Sequence, residues 1–310
     1  MTIVTKKRSL DKARIINQMK NREKEQVGRM STESNKNKDT FLMMKDKTNL
    51  FYRQDFPEKM KAVLVIVHGV CEHCGRYQYL AERLGEAGYG VIRFDLRGHG
   101  KSEGKRGFAS TYLEFSQDAR EFVLKAKQEA PGMPVYMLGH SMGSFISAAY
   151  GILYPDEIKG QVLSGLPATE LPLPTIRLLK HLPYNLLPMI QAGNDLGKIV
   201  SRDPAVVKAY IEDPLNLKKA TIKMSGEMFI KGPVWMAEHI KEYKYPCLLL
   251  HGGADMIVAP SSSEWFFNSI SSSDKQRKVY PELYHEIYNE KERDEVIADT
   301  ISWLDAQTGK

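Results

Sequence analysis

The chain is 310 residues long, a length that fits one large α/β domain carrying an insertion, or two ordinary domains. Hydrophobic residues make up 42% and charged residues 26%, with 23 Gly and 15 Pro; disordered, collagen-like and membrane-spanning classes are excluded, since no apolar run approaches the roughly 18 residues of a transmembrane helix. The net charge of +6 lies in residues 1–40, which hold 11 Lys+Arg against 5 Asp+Glu, so the rest of the chain carries 33 of each sign and offers no basic surface for nucleic acid.

Residues 1–30 present no apolar stretch followed by a small-residue cleavage site, so no secretory signal is expected. The three cysteines, Cys71, Cys74 and Cys247, cannot close a disulfide framework, which points to a reducing, cytoplasmic compartment. Within residues 1–40, Leu10, Ala13, Ile16 and Met19 fall near helical spacing among many Lys and Arg, the pattern of an amphipathic helix that lies on a membrane surface or binds a partner. The Ser/Asn/Lys-rich stretch 31–39 favours a basic, flexible extension instead, with Met30 as an alternative start.

Residues 40–44 and 49–54 read as two short antiparallel strands around a polar turn. Next comes Ala-Val-Leu-Val-Ile-Val over 62–67, the continuous β-branched run of a strand buried on both faces. A helix is expected over 77–87. Three further units follow: strand 91–94 and helix 112–129, strand 135–138 and helix 142–154, then strand 161–164. Alternation resumes with strand 247–251, a helix around 264–270, strand 278–280 and a last helix over 292–304. Alternating strands and helices predict a mostly parallel sheet with helices on both faces. The core is assigned to 41–164 and 246–310, interrupted by an inserted helical cap over 165–245. Eight of the 15 prolines lie in that insertion, so short helices and apolar loops are expected there. Its first part, 166–190, is rich in Leu, Pro and Met, which suits either an apolar tunnel or simple packing of cap on core.

Gly139-His140-Ser141-Met142-Gly143 follows one strand directly and opens a helix, the context of a nucleophile elbow. A serine hydroxyl needs a general base, and the base needs an orienting carboxylate. Of the eight histidines only His181, His239, His251 and His285 follow Ser141. The first two lie in the insertion and His251 ends a strand, whereas His285 sits in the loop after the last strand. Asp255 lies in the loop after the preceding strand, with Glu282 and Glu286 as flanking alternatives. Ser141, Asp255 and His285 are therefore the candidate triad. The Met142 N–H, at the positive end of the helix after Ser141, is a candidate oxyanion donor.

With the elbow, His68-Gly69 and its sequel Glu72-His73-Cys74-Gly75-Arg76-Tyr77, the segment 95–104 (Asp-Leu-Arg-Gly-His-Gly-Lys-Ser-Glu-Gly) and the late Asp255 and His285, the chain resembles the monoacylglycerol lipase and lysophospholipase group of α/β-hydrolases. The resemblance spans roughly residues 41–310 and is weakest in the cap. It implies an α/β-hydrolase fold and a second oxyanion donor in the Val70 N–H. It also places Glu72 and Arg76 near the polar end of the substrate pocket, a salt-bridged loop being the alternative. The group commonly carries a histidine three residues after the catalytic one; here that position is Tyr288, a candidate substrate contact that weakens the case for a glycerol leaving group.

Cys71-Glu-His-Cys74 has CxxC spacing, but no second ligand pair exists for zinc and no thioredoxin-like unit surrounds it. Neither metal nor cofactor is expected, although sensitivity of the site to thiol reagents is. Asp95, Arg97, His99 and Ser102 read as a structural turn. The expected activity is hydrolysis of monoacyl esters, of monoacylglycerol or lysophospholipid type, through an acyl-enzyme. A short-chain carboxylesterase, thioesterase or amidase with the same triad is the alternative, and a non-catalytic binding protein on the same fold the less favoured one. The expected partners are a monoacyl lipid or other small ester, with transient membrane-surface contact through cap or extension; the sequence sets no oligomeric state.

Overall fold

The computed structural model describes residues 40–171, 173–181 and 183–309. The extension expected over residues 1–40 lies, but for Thr40, outside the described residues. Strands β1 (Thr40–Met43) and β2 (Asn49–Asp55) form the expected antiparallel pair, with Phe41 opposite Phe51. The β-branched run becomes β3 (Ala62–Val67), buried at every position. Then follow α1 (Gln78–Glu86), β4 (Tyr89–Phe94), α2 (Glu114–Glu129), β5 (Val135–His140), α3 (Met142–Leu153) and β6 (Gly160–Ser164).

Between β6 and the next sheet strand lie α4 (Pro174–Leu179), β7 (Gln191–Gly193), α5 (Pro204–Glu212), β8 (Lys219–Thr221), α6 (Ile222–Gly226), a π-turn over Glu227–Lys231 and α7 (Gly232–His239). The chain re-enters the sheet as β9 (Cys247–Gly252) and ends with α8 (Pro260–Ser269), β10 (Lys275–Tyr280) and α9 (Arg293–Thr308). The eight sheet strands run in the order β1-β2-β4-β3-β5-β6-β9-β10. β2 is antiparallel to both neighbours and every later pairing is parallel.

Side-chain alternation along β3 divides the core. Val63, Val65 and Val67 join the apolar layer beneath α2, α3, α8 and the cap, while Ala62, Leu64 and Ile66 join the layer beneath α1 and α9. In α2, Phe115, Ala119, Phe122, Val123 and Ala126 are buried at helical spacing, and Phe122 stacks on Phe94 with ring centroids 4.0 Å apart. Each fully buried aliphatic or aromatic side chain of this kind stabilises the fold by about 1.5–3 kcal/mol. α2 ends at Pro131-Gly132, where Gly132 adopts φ 79°, a conformation open to glycine.

β10 begins three residues earlier than the expected strand, at Lys275. Lys275, Gln276 and Arg277 lie at the sheet edge, half-buried or exposed, so their polarity hid the strand. Register then fixes where the loops emerge: Val67 is level with Phe94 and Gly139, His140 with Ser164, and Ser164 with Leu250. The loops after β3, β5, β6, β9 and β10 consequently leave one edge of the sheet, the carboxyl ends at which open α/β folds gather their chemistry.

Candidate active site

Ser141 alone makes the turn between β5 and α3, with φ 53° and ψ −124°, a conformation that costs a non-glycine residue of order 1–3 kcal/mol. The flanking glycines are dictated by close approach. A Cβ on Gly139 would lie 2.3 Å from the Gly143 carbonyl oxygen, and one on Gly143 would lie 2.1 Å from the Val67 carbonyl oxygen. The turn is held by the Ser141 N–H donating to the Ser164 carbonyl at 2.8 Å. The Ser144 N–H and hydroxyl both donate to the Ser141 carbonyl, at 2.9 and 2.7 Å.

The loops after β9 and β10 bring Asp255 and His285 together through backbone contact. Gly253 N–H donates to the Tyr280 carbonyl and Ala254 N–H to the Leu283 carbonyl; a Cβ on Gly252 would sit 2.1 Å from the Tyr284 carbonyl oxygen. Asp255 Oδ1 accepts the N–H groups of Ile257 and Val258 at 2.8 and 3.0 Å. His285 Nδ1 lies 2.6 Å from Asp255 Oδ2. An ionised carboxylate only accepts, so Nδ1 carries the proton and the Nε2 lone pair is free. Nε2 is buried and has no hydrogen-bond partner among the described residues.

Burial opposes a charged imidazole at His285, but the Asp255 carboxylate outweighs it and holds the pKa above its ordinary value. Burial would likewise raise the pKa of Asp255, yet His285 and the hydrogen bond from His251 keep it far below the carboxylate range. His251, read from sequence only as a strand end, is fully buried. Its Nε2 lies 2.9 Å from the Val258 carbonyl oxygen and 3.3 Å from Asp255 Oδ2, so Nε2 is protonated and braces the same carboxylate oxygen that His285 meets. Nothing in the sequence around His251 signals this contact.

Ser141, His285, Val70, Glu72 and His140 line one cavity, closed from the cap by Leu196, Val200 and Tyr210. Its volume is about 20 Å³, room for roughly one water molecule. Among the described residues Ser141 Oγ makes no hydrogen bond to His285 in this closed arrangement; such contacts commonly tighten only with substrate present. Met142 is the first residue of α3, where an N–H has no acceptor within the helix. The cap is tied down by three backbone bonds of 2.8 Å, from Leu217 N–H to Cys71, Glu286 N–H to Val200 and Thr221 N–H to Gly107.

The remaining expected contacts fall differently. Glu72 reaches the cavity, but Oε1 accepts from the Gly69 N–H and the Tyr77 hydroxyl while Oε2 accepts from Arg76 Nε at 3.2 Å. Burial and the nearby Glu286 carboxylate push its pKa up. Arg76 bridges Glu72 and Glu286 and lies 4.7 Å from the centre of the Tyr210 ring, which is the salt-bridged loop rather than a free substrate contact. Tyr288 faces away: its hydroxyl pairs with Thr300 Oγ1 at 2.9 Å and its ring joins the apolar layer under α1 and α9. An apolar tunnel is one of two readings of 166–190, and the cavity at Ser141, about 20 Å³, is too small to be one. Leu166, Leu171, Ile176 and Leu179 pack onto the core, whereas Leu178, Leu186, Leu187, Met189 and Ile190 face outward. Cys71, Cys74 and Cys247 are buried free thiols.

Residues 58–292 match the family described as serine aminopeptidase, S33. The chain is 37% identical over 254 residues to a monoacylglycerol lipase of Mycolicibacterium smegmatis, covering 79% of this chain and 88% of that protein. It is 28% identical over 249 residues to phospholipase YtpA of Bacillus subtilis, covering 79% and 95%. The crystal structure of a monoacylglycerol lipase from Paleococcus ferrophilus superposes with a TM-score of 0.75 at 33% identity, covering 83% of this chain and 99% of that one.

Proposed function

The chain belongs to the serine aminopeptidase S33 family, with an α/β-hydrolase fold, and from that premise we propose that it is a serine hydrolase of monoacyl esters working through an acyl-enzyme. The observation that carries the reading is the Nδ1-protonated His285 on Asp255, with an unpartnered Nε2 at the cavity that Ser141 lines. In this reading Ser141 Oγ attacks the ester carbonyl and His285 Nε2 accepts the hydroxyl proton. Asp255 stabilises the imidazolium, and the Val70 and Met142 N–H groups receive the oxyanion. Collapse expels the alcohol, which takes its proton from His285. Water then repeats the sequence on the acyl-serine and releases the fatty acid.

The substrate class rests on similarity to a monoacylglycerol lipase, and on the apolar cap residues Leu196 and Val200 that close the cavity. An acyl chain cannot enter about 20 Å³, so the cap lifts before a lipid binds. Leu186, Leu187, Met189 and Ile190, exposed on one cap segment, suit transient contact with a lipid surface. Among the described residues no helix is long and apolar enough to cross a membrane. Buried free thiols at all three cysteines support residence in a reducing, cytoplasmic compartment.

The test is hydrolysis of monoacylglycerols, lysophospholipids and p-nitrophenyl esters across acyl lengths, comparing the wild type with Ser141→Ala. The expected result is kcat/KM that rises with chain length and vanishes in Ser141→Ala. Activity confined to short esters would make the protein a small-ester carboxylesterase, and none at all would leave a binding protein on a hydrolase scaffold.

A further inference from the structure

The peptide that joins Gly69 to Val70 is gripped by side chains to which the mechanism above gives no work. His68 directly follows β3 and is completely buried. Its Nε2 lies 2.9 Å from the Leu96 N–H. A backbone N–H only donates, so Nε2 holds the lone pair and the ring proton resides on Nδ1. Nδ1 lies 2.7 Å from the Gly69 carbonyl oxygen, which only accepts, and the two contacts together leave a single tautomer. Burial, reinforced by the neighbouring His99, holds the His68 pKa well below the ordinary imidazole value and keeps the ring neutral.

The geometry of the peptide passes this constraint on. No peptide bond in the described chain is cis, so the Gly69 carbonyl and the Val70 N–H lie in one plane and point in opposite directions. Holding the carbonyl on His68 therefore aims the Val70 N–H away from His68. The preceding peptide is fixed too: the Gly69 N–H donates to Glu72 Oε1 at 2.5 Å, and the Tyr77 hydroxyl at 2.7 Å and Arg76 hold that carboxylate. Gly69 itself is squeezed between catalytic loop and brace, since a Cβ there would lie 2.7 Å from Glu72 Oε1 and 3.1 Å from the Ser141 Cβ.

We propose that His68 and Glu72 are positioning residues for the oxyanion donor, the first setting the Gly69–Val70 peptide plane and the second anchoring the Gly69 N–H. The assignment rests on the reading of the Val70 N–H as an oxyanion donor. It gives Glu72 a role other than holding substrate, and it explains why both of its oxygens are occupied within the protein. A preorganised donor contributes only while its direction is fixed before charge develops.

The experiment compares wild type, His68→Leu, Glu72→Met and Glu72→Gln, with active sites titrated by a fluorophosphonate. It measures kcat and KM on one p-nitrophenyl ester, inhibition by a trifluoromethyl ketone whose hemiketal oxygen occupies the oxyanion position, and the thermal midpoint. His68→Leu and Glu72→Met are expected to lower kcat about tenfold or more, with KM within about twofold. They should weaken the trifluoromethyl ketone by the same factor as kcat. Glu72→Gln, which keeps a carbonyl oxygen for the Gly69 N–H, should recover most of the loss. A lowered thermal midpoint with kcat per titrated site unchanged would reduce both residues to structural ones and overturn the assignment. If His68→Leu does not fold, the two Glu72 variants decide the matter by their kcat difference. A wild type without Ser141-dependent turnover would instead overturn the proposed function itself.

Discussion

Two imidazoles meet Asp255 Oδ2, and the Asp255–His285 pair has a consequence for pH. The base must be neutral to accept a proton, and Asp255 holds the His285 pKa above the imidazole value of 6.5. Activity is therefore lost as pH falls through that raised pKa. The acid limb of kcat/KM should sit above 6.5, and in Asp255→Asn it should move down while kcat drops by about 10²–10⁴; a limb unmoved by the substitution would contradict the assignment. Thiol chemistry runs against what the sequence suggests. Burial pushes the Cys71 thiol up to about 12 and also holds Cys74 well above the ordinary thiol value, so almost no thiolate exists at neutral pH. The folded enzyme should keep its activity through an iodoacetamide treatment that inactivates it once urea opens the fold. At this scale Ser141, Asp255 and His285 were legible because each follows a strand, and chain order does the sorting. His251 was not, since a buried histidine at a strand end looks the same whether or not it faces a carboxylate. Nor was Tyr288, whose direction depends on Thr300 in a helix that packs from the other side.

The β5–Ser141–α3 unit shows why an element with strong local constraints can be read and one without them cannot. Its glycines answer to backbone atoms of the unit itself and of β3, so the motif carries its own structural explanation. Gly143→Ala should destabilise the protein by about 3 kcal/mol or more, seen as a lower urea midpoint, and should remove labelling at Ser141 before it removes helical circular dichroism. α2 was legible for a different reason, its buried residues recurring at helical spacing over four turns. The cap offers neither signal. β7 and β8 pair over three residues each, with Gln191 opposite Thr221, and the π-turn over Glu227–Lys231 is braced by Lys223 and Lys231 on a single oxygen of Glu227. Such short pieces take their shape from neighbours distant in the chain, which local pattern does not record.

At the level of the whole molecule the closed cavity and the outward-facing apolar cap segment belong together. Leu186, 79% exposed, and Leu187 lie away from the cavity that Ser141 lines, so their removal tests surface contact without touching chemistry. Leu186→Ser/Leu187→Ser should lower kcat/KM several-fold on long-chain monoacylglycerol in lipid vesicles and leave hydrolysis of a dissolved butyrate ester unchanged; equal loss on both would argue against a lipid-contact role. The large plan, a mostly parallel sheet, was legible because strands and helices alternate in the sequence, and that alternation breaks off between β6 and β9. The sheet topology says more about that interruption. β6 and β9 are parallel neighbours, Gln161 beside Cys247, so the chain must travel from one end of the sheet back to the other, a journey that normally needs a single helix. Residues 232–245 already make it: Met236, Ile240 and Tyr243 pack in the core, and the Tyr243 hydroxyl donates to Gln161. Residues 165–231 come ahead of that return as a detour between the two strands. Such a detour is free to diverge in length and chemistry, and a chimera that exchanges only this stretch should inherit the donor's acyl preference on an unaltered sheet.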